Sequence, residues 1–225
     1  MARRYLFLYC KYIKTIKVKL LFENVMTIYD LKPLFQNLLR PIVLLLKNLG
    51  LTPNQVTLAT CVLSLGMAIL LYFNSHVNLV LFSIPVFMFF RMALNAIDGM
   101  MAKDHDMQTP LGALLNELTD VLADSALYLA FVSHPLINAK LIIPISLLAV
   151  MTELIGISTT TIGASRRYDG PMGKSDRAFV FGFLALLLGL EIQYPILYTG
   201  ILSLTLLLLV LTIKNRMFRG LKEVT

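Results

Sequence analysis

The sequence predicts an all-α, polytopic membrane protein with six transmembrane helices and an N-terminal amphipathic interfacial helix, and three observations carry that prediction. Of its 225 residues, 57% are hydrophobic and only 15% charged, with a mean hydropathy of +0.76, whereas soluble domains carry about 25% charged residues. Hydropathy also divides the chain into six apolar runs, at 54–73, 77–97, 111–133, 139–162, 177–193 and 195–213, each near the ~17–25 residues that a bilayer requires. Finally, nineteen of the twenty Lys and Arg fall on one side of that arrangement and only Lys140 on the other. Both termini, the acidic stretch around Asp98 and the Arg166 loop are therefore expected on the cytoplasmic side.

Residues 1–28 form a basic N-terminal extension in which Lys11, Lys14 and Lys17 recur every third residue. On a helix they make one charged stripe suited to an anionic leaflet; the alternatives are a dispensable tail, or a start at Met26. No apolar core of signal-peptide length is present. The main membrane domain, 29–214, opens with Leu31, Leu34, Phe35, Leu38 and Leu39 at helical spacing against Asp30, Lys32, Gln36, Asn37 and Arg40. That pattern predicts a surface helix interrupted near Pro41. Pro53 suits a first helical turn and Asn54 offers cap chemistry beside it, so the first span begins there. Glu191 and Gln193 cut into the fifth run, and residues 215–225 read as a basic cytoplasmic tail.

The net charge of +7 fits cytoplasmic loops beside anionic lipid better than nucleic acid. Cys10 and Cys61 form no CxxC, and His76, His105 and His134 are scattered, so no thiolate or histidine metal site is expected.

Chemistry concentrates between Asn95 and Asp124. Asn95, Asp98, Gly99 and Ala102 share one helical face, and Gly112, Asn116, Asp120 and Asp124 step by four along the next span. Ionisable groups inside a span are costly and mark a function by default. Two facing stripes of carboxylate and amide oxygens would suit Mg²⁺ or Mn²⁺ with positions open to a substrate phosphate, while Gly99, Ala102 and Gly112 leave room for a bulky group. Each stripe taken alone could equally be a helix-packing surface.

A second cluster lies in Ala164–Arg177, where Arg166, Arg167, Lys174 and Arg177 alternate with Gly and Pro. Gly173-Lys174-Ser175 echoes a P-loop but has Tyr168 where that motif needs Gly, and no strand precedes it. The loop suits a held anion. Glu153, inside the fourth span, is expected either to line the same pocket or to pair with a polar group on another span.

Asp98-Gly99-x-x-Ala102-Lys103, eight residues, Gly112, three residues, Asn116, three residues, Asp120 resembles the signature of the CDP-alcohol phosphatidyltransferases, DxxDGxxAR followed after eight residues by GxxxDxxxD. The resemblance covers about 29–214, including Pro53-Asn54-x-x-Thr57, and is closest to bacterial inner-membrane members with Asn-Glu in the second half of the motif. It implies transfer of a phosphatidyl group from CDP-diacylglycerol or a similar CDP-lipid to an alcohol, with release of CMP, at a cytoplasm-facing site of an inner-membrane homodimer. It further implies that Asn95, Asp98, Asn116 and Asp120 hold one or two Mg²⁺ or Mn²⁺ ions and that Asp120 is the catalytic base. Asn54, Thr57, Gly99, Ala102, Lys103 and Gly112 would bind the CDP donor. Arg166, Arg167, Lys174 and Arg177 would bind a phosphate on the acceptor.

Three positions depart from the signature: Asn95 and Asn116 stand for Asp, and Lys103 for Arg. An amide oxygen ligates without charge, so one tight and one weaker metal position are expected, with Glu117 and Asp124 as candidates to make up the deficit. A lysine lacks the planar fork that grips phosphate bidentately. The alternative is a lipid- or nucleotide-binding membrane protein impaired in catalysis by the two Asn substitutions. A transporter is disfavoured, because no inverted repeat is visible.

Overall fold

The computed structural model describes residues 28–225. The Lys11–Lys14–Lys17 stripe, Cys10 and the alternative start at Met26 lie outside the described residues. The described chain is all-helical, with seven α-helices: α1 (Ile28–Asn48), α2 (Pro53–Phe73), α3 (Asn78–Asp104), α4 (Pro110–Ala130), α5 (Ala139–Ser158), α6 (Lys174–Gly189) and α7 (Pro195–Val224). Single 3₁₀ turns follow α4 (Phe131–Ser133) and α5 (Thr159–Ile162). Four helical stretches are long and apolar enough to cross a membrane: α2, α3, α5 with its 3₁₀ turn, and α7. The other two expected spans miss that description for physical reasons, since α4 carries Glu117, Asp120 and Asp124, and α6 is only 16 residues long.

Local chemistry explains most boundaries. Proline opens α2, α4 and α7, where its missing N–H costs nothing. At α2 the cap is Thr52 rather than Asn54: the Thr52 hydroxyl accepts from Gln55 N and the Gln55 side chain accepts from Thr52 N, a reciprocal capping box. Thr109 caps α4 through Gly112 N, and Asn138 caps α5 through Lys140 N. Inside α2, Thr60 and Ser64 return their hydroxyls to carbonyls one turn back, which satisfies them without water.

One expectation is corrected. The first helix runs through Pro41 without a break, because Leu39 and Val43 on either side are buried with Ala93, Ile97 and Met101 of α3, and that packing outweighs the one lost hydrogen bond. The basic tail is a continuation of α7, and its Arg216 is buried to 2% exposure.

The larger core draws on all six helices from α2 to α7, around Tyr128 stacked on Phe181 at 4.0 Å with Phe131 edge-on. Outward positions such as Val62, Ile69, Phe89 and Ile196 remain exposed and apolar, as lipid-facing helices require. α2 packs against both α3 and α4, α6 packs against α3, and α5 packs against α7. The backbones of α3 and α4 meet only marginally, so side chains must bridge the space between them.

The loop between α5 and α6 is tied down by backbone geometry. Arg167 N donates to Gly156 O at 3.0 Å, and Met172 N donates to Thr212 Oγ1 at 3.0 Å. Gly170 has φ +130°, and a Cβ there would stand 2.8 Å from Thr212 Cα. Gly163 also has positive φ, +85°, but opens onto free space. Gly170→Ala should therefore lower stability by roughly 2–4 kcal/mol, strain and overpacking together. Gly163→Ala should cost only about 1 kcal/mol. Thermal unfolding of the two variants in detergent checks the order.

Candidate functional site

Two polar cavities open between the helices and share one wall residue, Asn116. The first, about 510 Å³, is enclosed by the start of α2, the end of α3 and the start of α4. All six residues expected to meet a donor line it: Asn54, Thr57, Gly99, Ala102, Lys103 and Gly112, together with Asn95 and Asp98. Gly99 has open space where a Cβ would sit, so that wall is free. Gly112 serves a different end: a Cβ there would collide with the Asn54 amide, so its smallness lets α2 close on α4.

Between the cavities stand the motif residues. Thr57 Oγ1 donates to Asp98 Oδ2 at 2.7 Å, fixing that carboxylate from α2. Asn95 Nδ2 donates to Asp120 Oδ1 at 3.0 Å, which joins the two stripes across the gap between α3 and α4. Arg91, one turn before Asn95, lies 3.7 Å from the same Asp120 oxygen, and Lys174 forms an ion pair with Asp120 Oδ2. Among the described residues no group of three or more His, Cys, Asp or Glu stands together as a metal cage. The donor set of Asp98, Asp120, Asn95 and Asn116 is nonetheless all-oxygen, and Asp120 already attracts an ammonium and a guanidinium. This chemistry fits a hard divalent cation with less charge compensation than four carboxylates would give.

The second cavity, about 360 Å³, is walled by α4, α5, the Arg166 loop and the first turn of α6. Of the four residues expected to hold an acceptor phosphate, Arg166 and Lys174 line it, whereas Arg167 and Arg177 do not. Arg177 is 1% exposed beneath the floor, where it donates to Glu153 Oε1 at 2.9 Å and to Asp124 Oδ2 at 3.3 Å. Arg91 Nη1 donates to the other Asp124 oxygen at 2.5 Å. Asp124 is thus pinned between two buried guanidiniums, and Glu117 faces Arg166 across the cavity. Glu117 and Asp124, expected as candidates to make up the charge of the metal site, are paired with arginines here, Glu117 with Arg166 and Asp124 with Arg91 and Arg177. Glu153 combines its two expected roles, lining the cavity and pairing with Arg177 and Arg216.

Sequence reasoning missed Arg216, which lies 3.4 Å from Glu153, donates to Thr152 O and lines the cavity. It also missed the anchoring of the loop by the end of α7. Arg167 donates to Asp169 and Glu223 at 2.7 Å each, Arg219 donates to Asp169 at 2.6 Å, and Ser165 donates through both N and Oγ to Glu223. The readable signal was that Arg216, Arg219 and Glu223 recur at three and four residues, a single helical face.

A family model of CDP-alcohol phosphatidyltransferases matches residues 50–213. The chain belongs to that family. It is also 44% identical over 191 residues to the Escherichia coli (strain K12) inner membrane protein YnbA, covering 85% of this chain and 94% of the relative. Its fold is similar to that of the Mycobacterium tuberculosis phosphatidylinositol phosphate synthase PgsA1. Against the structure with manganese and citrate the TM-score is 0.67 at 22% identity, over 80% of this chain and 87% of that one. Against the structure with CDP-DAG bound it is 0.65 at 22% identity, over 80% and 92%. Membership of this family makes the chain a phosphatidyltransferase by class, and the inner-membrane relative agrees with its four stretches long and apolar enough to cross a membrane.

The loop anchor carries a pH signature. Burial would raise the Asp169 carboxyl, but the hydrogen bonds from Arg219 and Arg167 outweigh it and hold the group below the usual carboxylate range. A depressed folded value means that its stabilisation is complete above the ordinary value of about 3.9 and is lost as pH falls through the folded value. Asp169→Asn should therefore lower the melting temperature at pH 7 and remove part of the loss seen below about pH 4, measured as unfolding temperature against pH.

Proposed function

We propose that this chain transfers the phosphatidyl group of CDP-diacylglycerol, or a similar CDP-lipid, to an alcohol acceptor and releases CMP. The observation that supports it most directly is the placement of Asn95, Asp98, Asn116 and Asp120 at the boundary between two cavities. One cavity is the size of a nucleotide diphosphate head and the other that of a small polar acceptor. PgsA1 structures with CDP-DAG and with manganese lend support to the donor and the metal.

In this reading the first cavity takes the cytidine diphosphate. Lys103 supplies positive charge to the diphosphate, and the open face at Gly99 admits it against the α3 backbone. Asp98, oriented by Thr57, and Asn95, Asn116 and Asp120 would hold Mg²⁺ or Mn²⁺, one tightly and a second more weakly. When bound, the ion neutralises the diphosphate and the departing CMP. Asp120 receives the acceptor proton at Oδ2, the oxygen that Lys174 now covers, while the Asn95 amide keeps Oδ1 in place. The freed hydroxyl attacks the phosphorus bearing the diacylglycerol, and the bond to CMP breaks. The acyl chains stay in the bilayer along the outward apolar faces.

The topology that serves this chemistry has α4 and α6 crossing the membrane with the other four, both termini and both cavities on the cytoplasmic side, and α1 lying in the surface. Two such chains would form a homodimer in the inner membrane. α4 can cross because its acids are paired inward with Arg91, Arg166, Lys174 and Arg177 rather than exposed to lipid.

Metal-dependent CMP release from CDP-diacylglycerol by washed membranes tests the reading. Asp98→Ala and Asp120→Ala should each reduce it at least ~10²-fold, as loss of a positioned acid–base or metal-holding group does. No release by the wild type with any of several acceptors would leave a binding protein instead. Titration of purified protein with Mn²⁺, followed by electron paramagnetic resonance, should reveal one tight and one weaker site; two equally tight sites would contradict the amide-for-carboxylate argument.

A further inference from the structure

We propose that the acceptor is an uncharged polyhydroxy alcohol without a phosphate monoester, and that Glu117 excludes phosphate by occupying the guanidinium edge of Arg166 that would grip it. The proposal deepens the transferase reading and rests on it.

Arg166 and Arg216 both line the second cavity, and of the two Arg166, on the loop, is the one placed to seize a phosphate through a planar fork that can donate two parallel hydrogen bonds. That fork is already filled. Arg166 Nη1 pairs with Glu117 Oε1, and Nη2 donates to Glu117 Oε2 at 2.9 Å. Tyr168 backs the guanidinium with its ring centroid at 4.8 Å, which fixes the plane. The remaining nitrogen, Nε, is buried and offers no edge to the cavity. An incoming phosphate would have to displace Glu117 and leave that half-buried carboxylate facing a dianion.

No other cation of the cavity wall takes its place. Lys174 is paired with Asp120, and Arg216 is committed to Glu153 and the Thr152 carbonyl. Against these three cations the wall presents five carboxylates, those already named plus Asp124 and Asp176. Arg91 and Arg177 beneath the floor neutralise Asp124 and Glu153, so the cavity has no net positive charge left over to draw a dianionic acceptor. Carboxylates, the Asn116 amide and the Ser175 hydroxyl are instead acceptors and donors for alcohol hydroxyls.

The sequence pattern points the same way. Where GxxxDxxxD has its first Asp this chain has Asn116, and a negative charge stands at the next residue, Glu117. Asn116 faces both cavities and Glu117 only the second. That placement leaves the metal donor set one charge short and puts a charge on the acceptor wall.

Purified full-length protein in detergent with Mn²⁺ is titrated with inorganic phosphate and followed by thermal shift and calorimetry. Wild type should show no saturable binding that depends on Arg166. Glu117→Gln, which removes the charge but keeps the shape, should bind phosphate at least about ten-fold more tightly, and adding Arg166→Ala should abolish the gain. In the CMP-release assay wild type should prefer glycerol to glycerol 3-phosphate by at least about ten-fold in kcat/KM, with Glu117→Gln narrowing that ratio. Arg166-dependent phosphate binding by the wild type, as tight as that of Glu117→Gln, would overturn the proposal, as would a wild-type preference for glycerol 3-phosphate. If Glu117→Gln does not fold, the wild-type titration against Arg166→Ala decides alone. Phosphate binding requires no turnover, so absent CMP release with both acceptors would count against the transferase reading while the titration still judged the acceptor class.

Discussion

Asp124 held between Arg91 and Arg177 is the constraint on which the rest depends. The three side chains lie almost wholly out of contact with solvent, at 4%, 2% and 1% exposure, and tie α4 to α3 on one side and to α6 on the other. Through Glu153 the same network reaches α5, and through Arg216 it reaches α7. In an apolar interior such a network contributes little net stability compared with well-packed hydrophobic residues, but an isolated member would be a severe liability. Its value lies in register. A slip of α3 against α4 by one residue would separate at least one charge from its partner, and the contact between Asn95 and Asp120 would be lost with it.

That register decides the division of labour among the acids of α4. Asp120 faces the motif residues of α3, Asp124 faces the buried arginines one turn deeper, and Glu117 faces the loop one turn nearer the α4 N-terminus. Three carboxylates at spacings of three and four thus belong to three different environments, although a helical wheel places them on neighbouring faces. Arg166 compensates Glu117, Lys174 compensates Asp120 and Arg177 compensates Asp124, with Arg91 shared between the two aspartates. Of the three, Asp120 has the weakest compensation by arginine, Arg91 standing 3.7 Å away.

Much of this was legible in the sequence. The start of α2 at Pro53 and the approximate extent of the apolar runs were readable, and the residues that the family signature named for the donor line one cavity because their spacing keeps them on the facing sides of three helices. The partners of Glu117 and Asp124 were not legible, since pairing across helices depends on crossing geometry that no one-dimensional period records. The continuity of α1 through Pro41 was missed for a related reason: packing against α3 supplies what local propensity subtracts. Arg91 was within reach, because it precedes Asn95 by four residues and therefore shares its face.

The anchoring of the Arg166 loop by α7 bears on biogenesis. Ser165 and Glu223 are 58 residues apart in sequence, and at ~5–20 residues per second the ribosome needs roughly 3–12 s to make that interval. During that time α2–α5 can enter the membrane with the first cavity already walled, while the loop has neither Thr212 nor Glu223 to hold it. The nascent protein therefore acquires its two cavities in sequence, the one among α2, α3 and α4 first and the one walled by the Arg166 loop only after the last helix has docked.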